Sequence, residues 1–219
     1  MHKKIFRITS VFLLVLDLSG HDYWFEATPF IVHPGDWMTL HLMVGDDLNP
    51  ELERSFEKGP ALSFVLDGPN GTHDLLPLMD EEKEFFASVK ITEPGFYQFS
   101  LERDFSSITM SQAEFLEYLR HEEIEDHQEL VDWMQRNSME KERYAKSVKT
   151  LIAATGDAID TGEYLKTKNH PCEIILKRNP YLMHEGDVLG IQVLKYGKPA
   201  PDMVVMAQNK THGFPNKKL

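Results

Sequence analysis

The sequence predicts a mainly β protein: an immunoglobulin-like β-sandwich, a helical insertion, and a second, incomplete β-sandwich domain. Three observations predict it. Short runs rich in aromatic and branched residues, separated by turn residues, recur from 22 to 104. A helical period takes over after 110. The short-run pattern then returns at 172 and stops after three strands, too few for a sandwich.

Residues 1–20 read as a signal peptide. Lys3, Lys4 and Arg7 precede the apolar run "ITSVFLLVL" (8–16), the length of an export signal core. A membrane-spanning helix needs about twenty apolar residues, so this run does not span and the mature chain has no transmembrane segment. The small residues Ser19 and Gly20 suit a peptidase cutting between Gly20 and His21. The competing reading is a buried N-terminal segment of a cytosolic protein.

The first β-domain covers 21–108. Its strands are "YWFEA", "MTLHLMV" (38–44), "ALSFVLDG" (61–68), "EFFASVKI" (84–91) and "GFYQFSLERD" (95–104). Turns such as Pro34-Gly35-Asp36, Gly45-Asp46-Asp47 and Glu93-Pro94-Gly95 punctuate them. Leu40, Leu42 and Val44 share one strand face, while Thr39, His41 and Met43 share the other. The aromatics Trp24, Phe25, Trp37 and Tyr97 are expected in the core, with a carbohydrate-stacking surface as the rival reading.

The helical insertion covers 109–167. Ser111-Gln112-Ala113-Glu114 forms a capping box, in which hydroxyl and carboxylate each satisfy an orphan amide of the first turn. A helix is expected through Leu119, resuming from Gln128 to Met134. A second helix is expected from Ser138 to Ala154, ended by Gly156. The C-terminal β-domain covers 168–219. Its strands are interrupted at Asn179-Pro180, Glu185-Gly186-Asp187 and Tyr196-Gly197, and its sheet is cut short.

Composition narrows function. The 219 residues carry a formal charge of −12, and removing 1–20 takes it to −14. So acidic a surface argues against nucleic acid and anionic lipid as partners and favours a protein that attracts cations. Cys172 is the only cysteine, so no intrachain disulfide forms, and its place at the start of an apolar strand predicts a buried, inert thiol. There is no Gly-x-Ser-x-Gly elbow, phosphate loop or dinucleotide fingerprint. A non-enzymatic protein is expected, periplasmic or secreted.

Four stretches together, "HDYWFEATPF" after the leader, "PGDWMTLHLMVGD" (34–46), "ERYAKSVKTLIAATG" (142–156) and "CEIILKRNPYLMHEGDVLGIQVLKYGKPAPDMVVMA" (172–207), resemble the DUF4198 proteins, formerly labelled as the periplasmic component of cobalt/nickel transport. The resemblance spans roughly 21–208. It implies export, two β-domains with a helical insertion, and metal binding outside the inner membrane, with a membrane transporter as recipient. Members carry a small residue such as Ala where this chain has Gly20, and they run on past its end.

Four histidines are candidate ligands for a divalent transition metal, nickel or cobalt, with copper or zinc as alternatives. His21, as a mature N-terminus, would offer an α-amine and a ring nitrogen to one ion. His41 would join it if the neighbouring strand brought the two together. His121 and His127 bracket "HEEIEDH", where 121/125 and 123/127 would share a helical face. A zinc-protease helix is excluded there, because Glu125 stands where the second His is required. The rivals to metal capture are an adhesive immunoglobulin-like module that binds protein or glycan, and a copper-dependent oxidative enzyme using an N-terminal histidine.

Overall fold

The computed structural model describes residues 21–121, 132, 141–157, 159–201, 203, 205–208, 217 and 218. The expected leader, His127 and most of the expected helix at 128–134 lie outside them. In chain order the first elements are β1 (Asp22–Thr28), β2 (Ile31–Val32), β3 (Trp37–Asp46), β4 (Asn49–Arg54) and β5 (Ala61–Gly68). β6 (Gly71–Asp74), β7 (Ala87–Lys90), β8 (Gly95–Arg103) and β9 (Ser106–Thr109) follow. Then come α1 (Gln112–His121), β10 (Lys141–Tyr144), β11 (Ser147–Ala154), β12 (Cys172–Leu176), β13 (Ile191–Lys195) and β14 (Lys198–Pro199).

Two sheets form the sandwich. In one, the long β3 pairs with β1 along one edge and with β4 and β7 along the other. The second has the order β2-β11-β8-β5-β6, antiparallel except where β2 meets β11. Alternation decides what faces inward. Met38, Leu40, Leu42 and Val44 of β3 are buried, as the sequence predicts for the last three. Phe25 of the first sheet meets Phe64 of the second at 6.0 Å, and Phe86 packs edge-on against Phe64 at 5.2 Å. The sandwich is therefore closed by an aromatic cluster. Trp37 departs from expectation. It lies one step out of phase with Met38 and is 64% exposed.

The largest correction concerns 138–154. Over its described residues, 141–154, the expected second helix is two strands, with β11 lying between β2 and β8 in its sheet. Lys, Arg and Ala in this stretch favour a helix locally. However, Val148, Ile152 and Ala154 fall at even spacing, and pairing on both edges of β11 overrides local propensity. The first sandwich thus takes its last strand from beyond α1. The capping box forms as predicted: Ser111 N–H donates to Glu114 Oε2 at 2.7 Å and Glu114 N–H to Ser111 Oγ at 3.3 Å.

At the C-terminal end, β12, β13 and β14 make a three-stranded antiparallel sheet, with Tyr196 and Gly197 both at positive φ in its tight turn. Tyr181 fastens this sheet to the sandwich by donating to the carbonyls of Leu151 and Phe30. In β12 the expected phase is reversed: Glu173 is buried while Cys172 is exposed, so the thiol is not the buried one predicted. No helix among the described residues is long and apolar enough to cross a membrane.

Candidate metal centre

The cluster begins with a hairpin. Asp47 and Leu48 connect β3 to β4, both at positive φ (54° and 58°). A two-residue turn of this shape matches the twist of its strands but normally uses Asn-Gly, because side chains strain it. Gly45 precedes it for steric reasons. A Cβ there would sit 2.0 Å from the Asn49 carbonyl oxygen and 3.0 Å from the Glu51 amide. At that point the β3–β4 register shifts: Val44 faces Leu52 and Gly45 faces Pro50, which leaves Glu51 as the extra residue. Such a bulge re-aims a side chain out of the ladder.

β1 brings in the histidine. Asp22 pairs with Gly45 in the antiparallel register, so His21 runs alongside Asp46. Lys146 then fixes the backbone, its Nζ donating to the His21 carbonyl at 2.8 Å. His21 Nε2 lies 3.1 Å from Glu51 Oε2 and 3.7 Å from Asp46 Oδ2. Ligand atoms of His21, Asp46 and Glu51 all lie within 4.8 Å of one another. One imidazole nitrogen and two carboxylates are a donor set that divalent transition metals accept. Both carboxylates are partly exposed, so an ion has a route in.

Of the other candidate ligands, His41 does not join this cluster. The register sets His41 opposite Glu26, on the sheet face away from Leu40 and Leu42, with its Nδ1 2.7 Å from Glu53 Oε1. The expected meeting of His41 with His21 is therefore not made. His121 ends α1, and His127 lies outside the described residues. The carboxylates at His21 face Nε2, whereas a chelate with its own α-amine would use Nδ1, the nitrogen nearer the backbone. Asp46 and Glu51 were not among the candidates read from sequence. The turn at 45–47 was legible, but the bulge that turns Glu51 inward depends on pairing.

A second polar feature lies at the junction with the C-terminal sheet. A cavity of about 560 Å³ there is lined in part by Trp24, Gln98, Lys149, His170 and Glu173. His170 is buried, its Nδ1 has no hydrogen-bond partner, and burial lowers its pKa.

No curated protein and no solved structure matches the chain. A family model described as "Domain of unknown function (DUF4198)" matches residues 18–218, nearly the whole length, and the chain belongs to the DUF4198 family.

Proposed function

We propose that this protein is a non-enzymatic, exported binding protein that captures a divalent transition-metal ion, nickel or cobalt, for delivery to a membrane transporter. The observation that carries the reading is the convergence of His21, just before β1, with Asp46 and Glu51 from both sides of one hairpin. His21 Nε2 and the two carboxylates would hold the ion, and water would complete its shell. Coordination at Nε2 requires the tautomer protonated on Nδ1. Cleavage before His21 would offer a second mode, through the α-amine and Nδ1, with the ring turned about its Cβ–Cγ bond. The net charge of −12 raises the local concentration of any cation.

The test is calorimetry with nickel, cobalt, copper and zinc on protein that begins at His21, beside the same protein with an acetylated terminus. Micromolar or tighter binding lost in His21→Ala supports capture. Loss in Glu51→Gln identifies the Nε2 mode, and loss on acetylation identifies the amine mode. No binding of any ion sinks the proposal and favours an adhesive module. Copper binding with peroxide-dependent turnover favours the oxidative enzyme.

A further inference from the structure

A smaller cavity of about 270 Å³ lies beside β1, where Tyr23, Arg54, Glu57, Arg103 and Lys146 meet. In a chain of net charge −12, its lining carries three cations against the carboxylates of Glu57 and Asp104. Three positive groups gather around one ring. Arg54 Cζ lies 6.0 Å, Arg103 Cζ 5.9 Å and Lys146 Nζ 5.3 Å from the Tyr23 centroid. Each is attracted by the ring quadrupole, yet they repel one another.

Glu57 is the counter-ion to both guanidinium groups. Its Oε2 lies 2.9 Å from Arg103 Nη2 and its Oε1 3.6 Å from Arg54 Nη1. That leaves donors unused: Arg54 Nε and Arg103 Nη1 are buried without an acceptor. Buried charged donors are rarely left so, because an unpaired one costs a desolvation penalty that nothing repays. A guanidinium presents a planar fork of donors that matches the oxygens of a carboxylate or phosphate. The volume is below the range of about 300–1,000 Å³ usual for drug-sized ligands, so the occupant is small.

We infer that the Arg54–Arg103–Lys146 cavity is a binding site for a small oxyanion, such as phosphate, sulfate or a carboxylate. Glu57 occupies its donors when no anion is bound. The inference uses none of the three metal-site side chains, and the two sites share only Lys146, which also holds the His21 carbonyl. Metal-free protein is titrated with inorganic phosphate, sulfate and citrate at constant ionic strength, read by calorimetry and by melting temperature, with chloride as the reference. Saturable binding of at least one anion is expected, phosphate or sulfate identifying an inorganic ligand and citrate alone a carboxylate. Arg54→Gln should weaken that binding at least tenfold. Glu57→Gln should tighten it several-fold by removing the internal competitor, a gain that a merely structural ion pair would not give. If none of the three anions binds saturably, or if binding is unchanged in both variants, the inference is overturned.

Discussion

Lys149 Nζ of β11 lies 2.6 Å from Glu173 Oε1 of β12, and this ion pair joins the sandwich to the C-terminal sheet. Glu173 is only 1% exposed at its side chain. The carboxylate also accepts from the Lys168 amide at 2.7 Å, while Lys149 donates to the Ile174 carbonyl at 3.1 Å. Burial lowers the Lys149 pKa, and Glu173 opposes that shift. A pair this dry costs about as much to desolvate as it returns, but breaking it strands a charge. Lys149→Met should therefore destabilise the protein by about 3–5 kcal/mol. The double variant Lys149→Met/Glu173→Leu should recover most of that loss. Urea denaturation of both variants checks it, and equal loss in the two would refute the argument.

Stability should fall with acid in two stages. His170 is held below its ordinary 6.5 chiefly by burial. The unfolded chain therefore takes up a proton first, and stability drops as pH falls below that value. For Asp67, burial pushes the carboxyl up. Hydrogen bonds from Lys168 and Thr72 and the charges of Lys168 and Lys166 outweigh burial, leaving it below 3.8. Its contribution is present above the unfolded pKa and is lost as pH falls through the lower folded value. Melting temperature followed from about pH 8 to about pH 3 should show both losses. His170→Gln should remove the first while leaving the second, and a single acid transition in the parent protein would contradict the assignment.

His21 and His41 should respond differently. His21 faces Glu51 and Asp46, and His41 faces Glu53 from the other side of the sheet. Glu51→Gln should lower metal affinity by about tenfold or more, the scale of losing a partner at a metal site. Glu53→Gln should leave it unchanged. Equal effects of the two substitutions, measured by metal titration, would place the ion elsewhere.

Much of the β-sandwich was legible because its strands alternate or sit between strong turns. The alternation of Leu40, Leu42 and Val44 and the turn at Tyr196-Gly197 needed only local rules. β11 was not legible, because Lys149, Leu151 and its alanines suit a helix as well as Val148, Thr150 and Ile152 suit a strand, and its two neighbours in the sheet come from distant segments. The buried Glu173 inverted the expected phase of β12 for the same reason: its cation, Lys149, is 24 positions away. At the candidate site His21 could be read, but its carboxylate neighbours depend on a bulge that exists only once β4 pairs with β3.

That hairpin yields the last prediction. Leu48 holds a positive φ that glycine adopts freely and a side chain does not, at a cost of about 1 kcal/mol or more. Leu48→Gly should therefore stabilise the protein by about 1 kcal/mol, less the flexibility glycine adds to the unfolded chain. It alters neither Asp46 nor Glu51, so metal affinity should hold. Gly45→Ala acts in the opposite direction. Its methyl group would meet the Asn49 carbonyl oxygen and the Glu51 amide, both backbone atoms that move only if the bulge opens. Opening the bulge releases Glu51 from His21, so stability and metal affinity should fall together. Chemical denaturation and metal titration of both variants check the pair. If Gly45→Ala lost stability yet kept full affinity, the bulge would not be what positions Glu51.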